Sequence, residues 1–207
     1  MTADKPLRAD AQRNRAALVT KAREVFDSGD FFDLRYDDFA ALAGVGIGTL
    51  YRHFPTRQAL AEAVYTQEIA TLGNRARELQ ETLPAFEALG VFLHGMVAHM
   101  QAHQGLARTL AALLTFDSGA TSGQLAEGTR VLEQAVTDLV DAALRDGTIR
   151  DDADAGTIAG AAMIALHGIG AAHDRPRWQA EADALITAIM DGIRRPESET
   201  RRDRGGR

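Results

Sequence analysis

The fold is decided by one stretch, Asp37-Asp38-Phe39-Ala40-Ala41-Leu42-Ala43-Gly44-Val45-Gly46-Ile47-Gly48-Thr49-Leu50-Tyr51-Arg52-His53-Phe54. Phe39, Ala40 and Ala43 recur at the spacing of one helix face, and the two aspartates before them suit the positive end of a helix dipole. Gly44 follows the last of these apolar residues and suits a left-handed helix cap. A second short helix then ends in aromatic residues. Two helices joined by a tight glycine turn are typical of a helix-turn-helix, whose second helix lies in the major groove of DNA.

The composition is that of an ordinary globular protein. Among its 207 residues, 45% are apolar and 25% are charged, which argues against a disordered chain. Cysteine is absent from the sequence, so disulfides and thiolate metal sites are excluded. The N-terminal residues lack the apolar core of a signal peptide, and we therefore expect a cytoplasmic protein.

The net charge of −6 is unevenly distributed along the chain. Residues 1–60 hold nine Lys and Arg against eight Asp and Glu, a balance of +1. Residues 61–207 hold fourteen against twenty-one, a balance of −7. The acidity therefore belongs to the C-terminal part, and a nearly neutral N-terminal module still binds DNA if its cations face one side.

Hydrophobic periodicity predicts an all-α protein of about nine helices, without a strand pattern or an internal repeat. We expect residues 1–9 to form a flexible basic arm that carries Lys5 and Arg8, and Gly147 to cap a helix. Besides the two helices of the opening stretch, the pattern predicts helices over about 10–28, 57–80, 84–103, 106–115, 124–146, 154–173 and 177–194. The charged tail, 196–207, is expected to be disordered.

Two of the predicted helices carry almost no charge. Between Ala85 and His103 only Glu87 is formally charged, which predicts a central helix surrounded by others. No Asp, Glu, Lys or Arg occurs between Ala155 and His173, so a membrane span is an alternative there. This stretch lacks the density of Leu, Ile and Phe that drives membrane insertion. We therefore expect a helix buried on both sides, and no membrane partner.

The segment from Ala43 to Phe54, with Arg57 beyond it, resembles the signature of the TetR-type (tetracycline-repressor-like) transcriptional regulators. Arg15 and the run Ala22-Arg23-Glu24-Val25-Phe26 resemble the first helix of that family. The resemblance covers roughly the first 65 residues. It implies an N-terminal three-helix helix-turn-helix DNA-binding domain with a basic arm over 1–56. A C-terminal helical bundle for ligand binding and dimerisation would then occupy 57–195.

Three positions depart from the family pattern. Arg35 stands where the family often has a Ser or Thr that caps the helix. Ala41 and Leu42 replace polar residues, so this helix is expected to contribute fewer phosphate contacts. Arg57 replaces a frequent lysine and keeps its charge.

The resemblance implies a homodimeric bacterial regulator, a repressor that a small, largely apolar effector releases from a palindromic operator. Thr49 would reach a phosphate or a thymine methyl group. Gly48 would let the backbone approach the DNA, and Tyr51 and His53 would offer a hydroxyl and an imidazole to phosphates. Few long side chains on this helix predict modest direct base readout. The predicted DNA-binding residues are Arg8, Arg13, Arg15, Gly46, Gly48, Thr49, Tyr51, Arg52, His53 and Arg57.

The C-terminal part supplies candidates for a ligand pocket. Met and Phe side chains adapt to varied apolar ligands, although the same residues serve equally well as solid core. His99 and His103 lie four residues apart, a spacing that two metal ligands could use. No carboxylate matches that spacing, so a polar pocket wall or hydrogen-bonded histidines are favoured, and neither a metal nor a cofactor is predicted. The candidate pocket residues are Phe92, Met96, His99, Met100, Phe116, Met163 and His167.

The last two predicted helices are expected to pair with those of a second copy. The predicted interface residues are Gly160, Ile164, Gly168, Ile186, Ile189 and Met190. The alternative is a helical small-molecule-binding protein or enzyme in which the N-terminal helices are only a scaffold. No serine has the context of a nucleophile elbow and no glycine loop suits phosphate binding, so no catalytic residue is predicted. The Gly48-Thr49-Leu50-Tyr51 register also has no rationale in a scaffold.

Overall fold

The computed structural model describes residues 4–28, 33–103, 121–172 and 175–195. These residues form eight α-helices and no named β-strand, which confirms the all-α prediction. The helices are α1 (Asp4–Ser28), α2 (Asp38–Leu42), α3 (Ile47–His53), α4 (Arg57–Thr82), α5 (Ala85–Ala102), α6 (Thr121–Arg145), α7 (Ala155–Ala171) and α8 (Trp178–Ile193). The helix predicted over 106–115, the candidate Phe116 and the tail over 196–207 lie outside the described residues.

Helix α1 begins at Asp4 rather than near Asp10. The expectation of a flexible arm over 1–9 is therefore wrong for residues 4–9. Pro6 lies in the first helical turn, where its missing N–H would have no partner and its fixed φ already suits a helix. Nothing in this segment stops the helix, and Arg8 belongs to α1 instead of an extended arm.

Contacts divide the chain into two compact units, with the division falling inside α4 between Glu68 and Ile69. The first unit contains α1, α2, α3, the start of α4 and, among the described residues, 102–103 and 121–128. Its core is a single cluster to which all four of these helices contribute. The fully buried large side chains of that cluster are Leu18, Val19, Phe26, Phe39, Leu50 and Leu60. The first turns of α4 thus pack with the helix-turn-helix, because Leu60 and Val64 have no exposed surface.

The second unit contains the rest of α4, α5, most of α6, and α7 and α8. Its core includes Leu89, Leu93, Leu139, Ile149 and Ile186, which are all fully buried. Helices α5, whose one formally charged residue is Glu87, and α7, which has none, are each buried along one face only. Val91 of α5 is 41% exposed and Ile164 of α7 is 75% exposed, so the predictions of a fully surrounded α5 and a two-sided burial of α7 are wrong for the protomer.

The ends of α6, α7 and α8 are fixed by local hydrogen bonds. Gly147 has a φ of +66° directly after α6, as expected of a glycine cap,. The Asp154 carboxylate accepts hydrogen bonds from the backbone N–H and hydroxyl of Thr157, and these bonds lower the pKa of Asp154,. An isolated antiparallel bridge joins Ile149 and Arg194. Within the described part of the chain, no helix has the length and apolarity needed to cross a membrane.

Candidate nucleic-acid interface

The turn between α2 and α3 depends on Gly44, whose φ is +66°. The N–H of Gly44 donates to the carbonyl of Ala41 at 3.1 Å, and the N–H of Val45 donates to that of Ala40 at 2.9 Å. This pair of bonds is the Schellman arrangement that ends a helix on a left-handed residue. The glycine cap predicted from the sequence is therefore confirmed.

The segment before α2 is joined to the first turn of the helix by a hydrogen bond that the sequence departure at Arg35 did not suggest. The backbone N–H of Arg35 donates to Oδ2 of Asp38 at 3.1 Å. A carboxylate that reaches back from the first turn to a free N–H is half of a capping box. The N-cap residue of α2 is Asp37, whose side chain makes no capping hydrogen bond. Asp38 therefore ties the preceding segment to the first turn and does not replace the Ser or Thr acceptor of the family.

Helix α3 presents one face to solvent and the opposite face to the core. Ile47 and Tyr51 are 52% and 45% exposed, and Gly48 and Arg52 are also exposed. These four residues share a face because they lie at i, i+1, i+4 and i+5. Leu50 is fully buried on the other side. The sequence prediction omitted Ile47, although its position one helical turn before Tyr51 places it on the same face.

The hydroxyl of Tyr51 is bonded within the protein. It donates to Oδ1 of Asp37 at 2.9 Å, and this hydrogen bond raises the pKa of Tyr51. The ring of Tyr51 lies edge-on to that of Tyr36, with 5.4 Å between the centroids. Tyr36 is itself anchored, because its hydroxyl lies 2.6 Å from the carbonyl of Phe54 and 3.0 Å from that of Thr56. Burial raises the pKa of Tyr36 to about 12.

Several of the predicted phosphate-binding arginines have partners inside the first unit. The guanidinium of Arg57 donates to the carbonyl of Leu34 and lies 5.8 Å from the ring centroid of Phe39. Burial lowers the pKa of Arg57. Arg57 therefore holds the segment before α2 against α4.

Two arginines of α1 are also engaged. Arg15 lies 5.1 Å from the ring centroid of Phe54, and Arg13 pairs with Asp10. Thr49 and His53 are half-buried on α3, and Gly46 precedes that helix with an extended backbone. Arg52 projects from the exposed face of α3 beside Tyr51.

Comparison with known proteins agrees with the helix-turn-helix geometry of α2 and α3. Residues 18–64 match the family described as "Bacterial regulatory proteins, tetR family". Residues 84–195, more than half of the chain, match the one described as "Transcriptional regulator SbtR-like, C-terminal domain". The chain belongs to the TetR family of transcriptional regulators.

Solved TetR-family structures resemble the chain over most of its length. A TetR transcriptional regulator from Streptomyces coelicolor is 34% identical with a TM-score of 0.66, and the match covers 87% of this chain and 98% of that one. A TetR transcription regulatory protein from Mycobacterium vanbaalenii is 32% identical with a TM-score of 0.67, covering 92% and 100%. An HTH-type transcriptional regulator of Staphylococcus aureus is 33% identical over 63 residues, which is 30% of this chain. The chain spans about a third of the length of that curated relative, 33%.

The candidate ligand residues of this TetR-family protein occupy different environments in the second unit. Phe92, Met96 and Met163 are buried among other apolar side chains, so they serve as core in this conformation. His99 and Met100 are half-buried. His167 lies 2.7 Å through Nδ1 from the carbonyl of Met163, one turn earlier on α7, an arrangement typical of a histidine satisfied by its own helix.

The candidate dimer residues of this TetR-family chain also separate into two groups. Ile186 and Met190 of α8 are buried in the core of their own unit, so their side chains are not available to a second copy. Helices α7 and α8 contact each other within this unit, and a Cβ atom added to Gly90 of α5 would lie 3.4 Å from the methyl carbon of Met190. Ile164 and Gly168 lie on the exposed face of α7, and Gly160 and Ile189 are half-buried.

Proposed function

We propose that this TetR-family regulator is a homodimeric, ligand-responsive repressor that binds a palindromic operator through α3. The observation that carries the proposal is the exposed face of α3, where Ile47, Gly48, Tyr51 and Arg52 follow the left-handed turn at Gly44. A helix that presents its first residues beyond a tight turn is suited to enter the major groove. Two copies would place their α3 helices about 34–36 Å apart to meet successive major grooves.

The exposed face of α7 supports a second copy as partner. Ile164 is 75% exposed and Leu185 of α8 is 42% exposed. A side chain added to Gly160 or Gly168 would meet no heavy atom within 4 Å, so the surface there is open and lined by small residues. Self-complementary apolar surfaces of this kind are typical of two-fold symmetric dimers. The proposed interface therefore keeps Gly160, Ile164, Gly168 and Ile189.

An effector site in the second unit is supported by a groove of about 320 Å³ between α4 and α6. Its lining includes the apolar residues Ala70, Gly73, Val131 and Ala135 and the polar residues Arg77, Gln134 and Asp138. Such a lining suits a small molecule with an apolar body and a polar group. Helix α4 contributes both to this groove and to the core beneath the helix-turn-helix. An effector that binds more tightly to a conformation with the wrong spacing of the α3 helices would weaken DNA binding by linkage.

The proposal is tested by fluorescence anisotropy with a duplex that covers the DNA upstream of the protein's own gene. We expect a dissociation constant on the order of 10 nM at moderate salt, and an affinity that falls steeply as salt rises. Arg52→Ala should weaken binding by roughly tenfold, because it removes a phosphate or base contact from α3. Arg145→Ala, at an exposed arginine in the last turn of α6, is the matched control and should bind like the wild type.

A failure to bind would be informative if it extended to selected DNA. The protein would also be offered a randomised duplex pool. Recovery of no enriched sequence, from a well-folded protein at low salt, would refute the proposal and favour a helical ligand-binding protein.

A further inference from the structure

The hydrogen bond between Tyr51 and Asp37 restricts what the Tyr51 hydroxyl offers to DNA. The hydroxyl donates to Oδ1 of Asp37 at 2.9 Å. A phenolic hydroxyl has one proton to donate and lone pairs with which to accept. Once that proton is committed to Asp37, the oxygen acts only as an acceptor. A DNA phosphate is also only an acceptor, so it is not a hydrogen-bond partner for Tyr51 in this arrangement.

The surroundings hold Tyr51 in this state. Its ring rests edge-on against Tyr36 at 5.4 Å, and Tyr36 is anchored through its own hydroxyl to the backbone at Phe54. The same hydrogen bond raises the pKa of Tyr51. At neutral pH a tyrosine hydroxyl carries its proton in any case, and here that proton is the one donated to Asp37,. The carboxylate of Asp37 also repels a phosphate that approaches the hydroxyl.

The position of Tyr51 leaves its oxygen open to a donor from outside. The residue is 45% exposed and lies on the solvent face of α3 with Ile47 and Arg52. In the major groove, the donors that base edges offer are the N4 amino group of cytosine and the N6 amino group of adenine. Both are complementary to a hydroxyl oxygen whose proton points away from the DNA.

We propose that Asp37 makes Tyr51 a base-reading residue, whose hydroxyl oxygen accepts a hydrogen bond from the amino group of one cytosine or adenine in the operator. Asp37 acts as a positioning residue, since it touches Tyr51 and not the base. This assignment differs from the phosphate contact that the sequence predicts for Tyr51. It rests on the proposed binding of DNA through α3 and adds a determinant of specificity to it.

The test uses the duplex that the wild-type protein selects from a randomised pool, and a panel in which each base pair of one half-site is replaced. At a single base pair, Tyr51→Phe should reduce the ratio of affinities for the selected and the replaced base by roughly three- to tenfold. This is the range expected for the loss of one hydrogen bond. Asp37→Ala should reduce the base preference at the same position, because the hydroxyl is then free to turn its proton toward a phosphate. Asp37→Asn keeps an acceptor for that proton and should retain the discrimination.

Asp38→Asn is the matched control for charge. It removes the same negative charge one residue away, keeps an acceptor for the Arg35 N–H and makes no contact with Tyr51 in the described structure. It should raise the affinity for every duplex to a similar extent as Asp37→Asn, and leave the base profile of the wild type intact.

Deleting the amino group from the DNA gives the sharpest comparison. Purine in place of adenine, or 2-pyrimidinone in place of cytosine, should weaken wild-type binding by roughly three- to tenfold at the position that Tyr51 reads. The same deletion should have no effect on Tyr51→Phe, because the hydrogen bond is already absent.

Three outcomes decide the matter. Coupling between Tyr51 and one amino group supports the inference. A Tyr51→Phe variant that binds all duplexes more weakly by one common factor overturns it in favour of a phosphate contact, while DNA binding through α3 survives. Failure of the wild-type protein to enrich any duplex overturns the proposed function itself.

Discussion

Gly128 of α6 is a position where adding one methyl group should destabilise the protein when Tyr65 is present and stabilise it when Tyr65 is replaced by a smaller residue. A methyl carbon added there would lie 2.5 Å from the hydroxyl oxygen of Tyr65, and 2.6 Å and 2.8 Å from two of its ring carbons. Carbon atoms do not approach one another so closely, so the ring must move. Tyr65 packs against the core of the first unit, which limits where the ring can go.

The magnitude follows from two opposed effects. Overpacking of this kind costs about 1–3 kcal/mol, whereas replacing a glycine by alanine inside a helix stabilises by about 0.5–1 kcal/mol. Gly128→Ala should therefore lower the free energy of unfolding by about 0–2.5 kcal/mol. In a Tyr65→Leu background the obstructing ring is absent, and Gly128→Ala should raise the free energy of unfolding by about 0.5–1 kcal/mol.

Urea unfolding followed by circular dichroism at 222 nm measures all four proteins of this cycle. Gly95→Ala on α5 is the control, because a methyl group there would meet no heavy atom within 4 Å. It should stabilise by about 0.5–1 kcal/mol in either background. Equal effects of Gly128→Ala with and without Tyr65 would show that the ring does not oppose the methyl group, and would refute a steric conflict between Tyr65 and a side chain at position 128.

Three further predictions concern other parts of the chain. Ile164→Asp should turn a dimer into a monomer in size-exclusion chromatography with light scattering, whereas Val91→Asp, also at an exposed apolar residue, should leave the dimer intact; a dimeric Ile164→Asp would contradict the proposed interface. Arg23 and Glu68 form an ion pair at 2.9 Å in which the Glu68 side chain is buried, so Glu68→Leu should cost about 2–4 kcal/mol and less in an Arg23→Met background; additive costs in urea unfolding would count against coupling. The pKa of Tyr36 rises from 10.0 to about 12 on folding, so its contribution to stability is complete below pH 10 and is lost as the pH rises toward 12; a Tyr36→Phe variant that loses as much stability as the wild type over this interval would refute that assignment.

The local features of the helix-turn-helix could be predicted because single residues determine them. Gly44 and Gly147 both have a φ of +66°, a conformation that glycine adopts without the cost that a side chain imposes. The buried stripe of Phe39 and Ala40 likewise follows from the helical period,. The start of α1 could not be placed in the same way, because Pro6 is compatible both with a flexible arm and with a first helical turn.

The role of Asp37 shows where sequence reasoning stops. Its position before α2 suggests an interaction with the helix dipole, and nothing local to Asp37 indicates a tyrosine fourteen residues later as its partner. That contact depends on the angle between α2 and α3, which Gly44 and the shared core set together. A side chain that the sequence assigns to phosphates is thereby given a different hydrogen-bonding role.

For the apolar helices α7 and α8, the sequence does not reveal which apolar face is buried within the chain. The period of a helix identifies which residues share a face, but not whether that face meets the same chain or a second copy. Ile164 and Ile186 are both isoleucines on helices with apolar residues around much of their circumference, yet one is 75% exposed and the other fully buried. Only the packing of the second unit separates them, because it covers Ile186 and leaves Ile164 exposed. An apolar face that stays exposed after the chain has filled its own core is a candidate contact surface, and on α7 the face that contains Ile164 is the one assigned to the proposed homodimer.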